Sequence, residues 1–201
     1  MSNTKSNASR AWQRMLSGRR LDLLDPSPLD IELEDIAHGL ARVARWNGQT
    51  HGDHALSVAQ HSLMVEQAMN LQNPRLKPSQ QLYGLLHDAP EYVIGDMISP
   101  FKAVVGGAYK EVEARLEAAI HLHVGLAAHP ETKLKQIIKR ADTMVAYFEA
   151  TELAGFEREE AARFFGRPSN LTAEQLDLTP LPALEAQSKF LARIHQVMDA
   201  L

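Results

Sequence analysis

The chain has 201 residues, a formal net charge of -4 and no cysteine, and its length suffices for one domain with a substantial core. The acidic balance argues against nucleic-acid polymers and membranes as partners, because either would need clustered Lys and Arg, so a small-molecule ligand is expected. The absence of cysteine excludes disulfides, thiolate metal sites and cysteine nucleophiles, and leaves His, Asp and Glu as candidate metal ligands.

Residues 1–10 are polar and contain no apolar targeting segment, which predicts a flexible tail on a cytoplasmic protein. Residues 11–201 are expected to form a single domain. Apolar residues at intervals of three and four predict most of its helices. The predicted helices span 11–17, 31–44, a stretch that begins near Ser57, 79–88, 109–128, 131–154, 157–165 and 183–201. No alternating strand pattern appears, so the expected fold is an all-α helical bundle.

The first candidate ligand is His61. Ser57 and Gln60 have the spacing of a capping box, which predicts a helix start that places His61 in the first turn. Val65 and Met69 lie on the same helix face as His61, so this histidine is expected to point into the core.

The second candidate group follows an almost wholly apolar run, 82–86. His87 and Asp88 end this run, and Glu91 follows after Pro90, which prevents a regular continuation of the helix. A helix that is apolar nearly all round belongs in a core, so these polar side chains are expected to be desolvated.

Asp142 is the third candidate, since it lies within the apolar stripe of the predicted helix 131–154. A lone His or Asp on an apolar face is more often a core residue with a protein partner than a metal ligand. Four such residues, His61, His87, Asp88 and Asp142, favour a shared cation, because burying them without partners would be costly. Two imidazoles and two carboxylates suit one divalent transition metal ion, such as Mn, Fe, Co, Ni or Zn.

These residues resemble the metal-binding pattern His, His-Asp, Asp of the HD-domain metal-dependent phosphohydrolases. The stretch 87–102, with Glu91, Gly95-Asp96, Pro100 and Lys102, is similar to that of the YfbR-like 5′-deoxynucleotidases. Arg45-Trp46 precedes His61 as an Arg-Trp pair does in that family. The sequence Lys139-Arg140-Ala141-Asp142 resembles its last ligand helix, and the resemblance covers 34–155.

The resemblance implies an HD-domain helical bundle with His61, His87, Asp88 and Asp142 as metal ligands. It implies catalytic roles for Glu91 and Asp96, with the choice of acid and base left open, and substrate binding by Arg45 and Trp46. The implied activity is phosphate removal from (deoxy)nucleoside monophosphates, and the implied assembly is a homodimer. We expect the terminal helix 183–201, with its apolar stripe, either to mediate that association or to complete the core.

Two alternatives remain at this point. One is an HD-type hydrolase of another phosphoester, such as an alarmone or a cyclic dinucleotide, although Tyr92 after Glu91 and the lack of a Gly-Tyr-Pro element argue against these. The other is a non-catalytic helical module, which the carboxylates beyond the four ligands disfavour because a structural metal site needs no further acids.

Overall fold

A computed structural model describes residues 11–98, 104 and 107–201. Within these residues a short β-hairpin precedes eight α-helices, which confirms the predicted helical fold class and adds a two-stranded sheet that was not predicted. The elements are β1 (Trp12–Arg14), β2 (Arg20–Asp22), α1 (Leu33–Leu40), α2 (Val58–Gln72), α3 (Pro78–Leu85), α4 (Glu91–Ile94), α5 (Gly107–His123), α6 (Thr132–Glu152), α7 (Arg158–Phe165) and α8 (Ala183–Met198). The predicted tail 1–10, and Pro100 and Lys102, lie outside the described residues.

The core is organised around α2, which packs against α3, α6 and α8. Its inward face is apolar, and Val58, Met64, Val65 and Met69 are at most 1% exposed. Helix α7 packs on α6, and α4 packs on α1. None of the helices in the described ranges combines the length and apolar character needed to cross a membrane. The single-domain organisation of 11–201 stays a prediction.

The predicted helix 11–17 is wrong, because this segment forms β1 and pairs with β2 in an antiparallel hairpin. Gly18 makes the reversal possible with a φ of 98°, which L side chains rarely adopt. Leu21 on β2 is fully buried and ties the hairpin to the core. The contact of Arg20 with the Trp12 ring also stabilises the hairpin. Each strand has only three residues, which is too short for an alternating pattern to be recognised in the sequence.

The predicted helix 31–44 is shorter in the structure, where α1 ends at Leu40. The chain then forms an antiparallel bridge between Ala44 and Ser57. Arg45 and Trp46 therefore lie in a 3-10 turn, Arg45–Gly48, rather than at a helix end. Trp46 has a φ of 56° there, a left-handed conformation that costs free energy in a bulky residue and is often found at functional sites.

The apolar run before His87 is buried as predicted, but α3 begins after Lys77 rather than Ser79 and ends at Leu85. Residues 86–90 form a turn that connects α3 to α4. Pro90 is the residue before α4, where its missing N–H removes no helical hydrogen bond. His87 and Asp88 are thus held in a tight connection between two helices.

Most of the apolar stripe of the terminal helix is part of the core, although Leu184 near its start is 70% exposed. Phe190, Ile194 and Val197 on α8 are at most 2% exposed, and α8 packs against α1, α2 and α3 of the same chain. These side chains are not available for association between chains. The homodimer stays an expectation from the resemblance, and light scattering at micromolar concentration tests it directly.

Candidate metal centre and active-site cavity

The four predicted ligands come together although they lie on separate elements. His61 is in the first turn of α2, His87 and Asp88 are in the turn before α4, and Asp142 is on α6. Ligand atoms of His61, His87 and Asp88 all lie within 4.8 Å of one another. Asp142 adjoins this group, with Oδ1 3.4 Å from His61 Nε2. The structure thus contains a His₂Asp₂ cluster at the positions that the sequence predicts.

Both histidines point Nε2 toward the cluster and Nδ1 away from it. Nδ1 of His61 is 2.6 Å from Glu149 Oε1, and Nδ1 of His87 is 2.8 Å from the Gly84 carbonyl oxygen. Because each acceptor can take the Nδ1 proton, each Nε2 can present a lone pair.

Neither Nε2 has a hydrogen-bond partner of good geometry among the described residues, and both are buried. Instead, Asp88 Oδ2 lies 3.1 Å from His87 Nε2 and 3.6 Å from His61 Nε2. Lone pairs and carboxylates that converge in this way repel unless a cation lies between them. The donor set therefore fits a divalent transition metal.

The cluster strongly favours ionised carboxylates. Burial on its own would raise the pKa values of Asp88 and Asp142, but the neighbouring imidazoles hold both well below the usual range. Burial and Arg45 would lower the pKa of His61, but Glu149 and Asp142 raise it to about 10. The surrounding carboxylates therefore favour a positive charge at the centre of the cluster.

Glu149 on α6 belongs to the candidate site, and the sequence reasoning missed it. It is fully buried and joins three predicted site residues. Its Oε1 faces His61 Nδ1, and its Oε2 accepts from Trp46 Nε1 at 2.9 Å and from Arg45 Nη2 at 3.2 Å. One carboxylate therefore orients a metal-ligand candidate and both substrate-binding candidates. A signal existed, because Glu149 lies two helical turns after Asp142 on the same face, inside the apolar run 144–150.

The second partner of Arg45 is Asp96, whose Oδ2 lies 3.3 Å from Arg45 Nη1. The Arg45 side chain is only 14% exposed, so its guanidinium is held between two carboxylates in the interior. Burial would lower the pKa of Arg45, but Glu149 and Asp96 raise it above its usual value, which keeps the group charged. The predicted substrate-binding arginine is therefore fixed in position.

A cavity of about 580 Å³ opens onto the cluster. Its lining includes the predicted catalytic carboxylates Glu91 and Asp96, the predicted ligands Asp88 and Asp142, and the Arg45-Trp46 pair. Glu91 is 2% exposed. The structure brings every predicted site residue either into this cavity or, for His61 and His87, into the cluster beside it.

Glu149→Gln is expected to weaken metal binding by about 10–100-fold, the usual effect of losing a carboxylate that orients a ligating histidine. Calorimetric titration with Mn²⁺ measures this. Glu66→Gln is the matched control, because Glu66 is also buried but pairs with Arg193 outside the cluster. Equal affinities in the Glu149→Gln protein and the wild type would show that Glu149 does not support the site.

Because Glu149 is ionised in the folded chain, chelator-treated protein is expected to lose stability in acid. Burial on its own would raise the pKa of Glu149, but Arg45, His61 and Trp46 lower it to about 2 in the folded chain. In the unfolded chain it is about 4.3. The stabilisation is therefore fully present above the unfolded value and is lost as the pH falls toward 2.

Urea unfolding at a series of pH values between about pH 6 and about pH 3 tests this. The midpoint of the wild type should fall more steeply with acid than that of Glu149→Gln, since both proteins share the contributions of Asp88 and Asp142. Parallel curves would contradict the assignment.

Two comparisons show which known proteins the chain is similar to. The profile of the YfbR-like 5′-deoxynucleotidase family matches residues 35–195, so the match continues past the 34–155 resemblance into α8. An uncharacterized protein of Rhodobacter capsulatus is 55% identical over 192 residues, which cover 96% of this chain and 98% of the relative. The family profile supports a hydrolase acting on phosphoesters. With most of its length matched, the chain belongs to the YfbR-like 5′-deoxynucleotidase family.

Proposed function

We propose that the protein is a metal-dependent 5′-nucleotidase that removes phosphate from nucleoside 5′-monophosphates and prefers deoxyribose. The observation that carries this is the composition of one cavity, which combines carboxylates of the His₂Asp₂ cluster, two further carboxylates and a fixed arginine. A metal-dependent phosphomonoesterase needs each of these groups: a cation site, proton-transfer groups and a phosphate contact.

The proposed metal ligands are His61, His87, Asp88 and Asp142. A divalent ion held there would lower the pKa of a water molecule and stabilise charge on the phosphoryl oxygens. The protein's own part is to keep the imidazole lone pairs aimed at the cluster, which Glu149 and the Gly84 carbonyl do by accepting the Nδ1 protons.

Hydrolysis also requires two proton transfers. The attacking water loses a proton as its oxygen bonds to phosphorus, and the nucleoside 5′-oxygen gains one as its bond to phosphorus breaks. Glu91 and Asp96 are the proposed groups, because both line the cavity and neither belongs to the ligand set. The assignment of acid and base between them stays open.

Arg45 is the proposed phosphate contact. Its Nε and Nη2 face Glu149 and its Nη1 faces Asp96, which fixes the plane of the guanidinium at the cavity wall. Arg45→Lys should lower kcat/KM by about 10–100-fold, since a lysine cannot bond two carboxylates in this geometry and also bind phosphate bidentately. Steady-state kinetics on a deoxynucleoside monophosphate measures the loss. A variant as active as the wild type would exclude phosphate binding by Arg45.

The deoxyribose preference follows from Trp46. Its indole N–H is already bonded to Glu149, so the ring offers the cavity only apolar surface. A 2′-hydroxyl packed against that surface would lose its hydrogen bonds to water without replacement, which penalises ribonucleotides.

The test is a substrate panel in the presence of Mn²⁺ or Co²⁺. It contains ribose and deoxyribose monophosphates of each base, a deoxynucleoside triphosphate and a phosphodiester. We expect inorganic phosphate from the monophosphates, most rapidly from the deoxy forms. Activity on triphosphates or diesters with none on monophosphates would overturn the assignment, and a ribose preference would overturn the role given to Trp46.

A further inference from the structure

The proposed chemistry leaves three phenylalanines of the cavity wall unexplained: Phe156, Phe164 and Phe165, which lie beside Trp46. Trp46 contacts Phe156 and Phe165, with ring centroids 5.6 Å and 5.9 Å apart. Phe164 contacts the same two phenylalanines, each at 6.3 Å. The rings thus form a closed four-membered group that we call the aromatic wall.

The wall leads outward from the metal-binding cluster. Its inner end, Trp46, is bonded to Glu149, and Trp46, Phe156 and Phe165 pack partly buried against the core. Its outer end, Phe164, is 68% exposed. Folding alone does not require a phenylalanine at a position that buries so little of the ring. Apolar surface retained at the edge of a ligand cavity is typical of a binding surface.

Few side chains beside the aromatic wall could form hydrogen bonds with the polar edge of a ligand. Apart from the acidic end with Arg45, the hydrogen-bonding side chains of the cavity are Lys139 and Thr143 among the described residues. Lys139 Nζ is already 2.9 Å from Asp142 Oδ2. A ligand group bound at this end would be recognised mainly by its flat face.

We propose that the aromatic wall is a stacking platform for the nucleobase, with Phe164 as its outermost ring. The inference rests on the proposed function, in which the phosphate lies at the charged end of the same cavity. A nucleotide has the matching polarity, with an anionic group at one end and a flat π-system at the other. A volume of about 580 Å³ is in the range of small-molecule sites, about 300–1,000 Å³. Because every base has a π-face, such a platform accepts all bases and favours the larger purines.

The experiment compares wild type, Phe164→Ala and Phe164→Tyr. Leu184→Ala is the control, since Leu184 is an equally exposed apolar residue on α8, outside the cavity. Kinetics are measured on deoxyadenosine 5′-monophosphate, deoxycytidine 5′-monophosphate and 2-deoxyribose 5-phosphate, which has no base. Calorimetry gives the affinity for the 5′-methylenephosphonate analogue of deoxyadenosine monophosphate, which cannot be hydrolysed by ester cleavage.

Phe164→Ala should raise KM for the purine nucleotide by about tenfold and weaken phosphonate binding equally, with kcat and the base-free substrate unchanged. The loss should be smaller for the pyrimidine, and Phe164→Tyr should restore binding. Equal losses with and without a base, or no loss in either assay, would overturn the platform. If wild type cleaves no monophosphate but binds the phosphonate through Phe164, the proposed function fails and the platform stands. If wild type and Phe164→Ala cleave monophosphates with the same KM, the proposed function stands and the platform fails.

Discussion

Glu91→Gln and Asp96→Asn should each lower kcat by at least about 100-fold while the protein keeps its fold and its metal. Each substitution preserves the shape of the side chain and removes the ability to transfer a proton at neutral pH. Both carboxylates line the cavity beside Asp88 and Asp142. The effect should appear in kcat more than in KM, because the proton transfers occur in the chemical step.

Metal content and the pH profile separate the possible roles of these two carboxylates. A general base contributes to the acidic limb of the kcat profile and a general acid to the alkaline limb, so each variant should flatten one limb. If either variant lost its metal, that carboxylate would be a ligand rather than a proton-transfer group. If Asp96→Asn changed KM alone, Asp96 would act by positioning Arg45, with which it forms an ion pair.

His87→Ala should abolish stoichiometric metal binding and, with it, nearly all activity. The substitution removes one of the two imidazole nitrogens of the cluster and leaves Asp88 without the neighbour 3.1 Å away that lowers its pKa. Elemental analysis of dialysed protein measures the metal content. His129→Ala is the control, because His129 is exposed and lies outside the metal-binding cluster. Equal metal content in His87→Ala and wild type would place the metal elsewhere.

The four candidate ligands could be selected from the sequence because each lies in a local pattern that marks it as inward-facing. The hydrogen bond from Gln60 N–H to Ser57 Oγ fixes the start of α2 and hence the inward direction of His61. The other half of the predicted capping box is wrong: the Gln60 side chain instead donates to the Asp177 and Thr179 carbonyls. His61 is still placed correctly, because one cap suffices to set the first turn.

Other parts of the site depend on contacts between segments distant in sequence. The turn that carries Arg45 and Trp46 is set by backbone hydrogen bonds of the segment 43–45 to 56–58, which close the loop between them. The helical spacing of apolar residues in 31–44 does not show that 43–45 pairs with 56–58. The apolar run around Glu149 indicates that it is buried, but its partners are set only by the packing of α6 against α2, which brings its Oε1 within 2.6 Å of His61 Nδ1.

The aromatic wall shows the same limit. The helix 157–165 is predictable from its sequence, and α7 spans Arg158–Phe165. Which of its two phenylalanines faces Trp46 depends on how α7 packs on α6, since adjacent residues on a helix point about 100° apart. Local periodicity specifies the helix, and tertiary packing decides which ring contacts Trp46.

The most direct test of the account is a titration of chelator-treated protein with Mn²⁺ or Co²⁺ while phosphate release from a deoxynucleoside 5′-monophosphate is followed. One ion bound at the His₂Asp₂ cluster predicts activity that is absent without metal, rises with added ion and saturates at one ion per chain. Phosphate release that is independent of metal, or no release at any metal concentration, would contradict a metal-dependent nucleotidase built on His61, His87, Asp88 and Asp142.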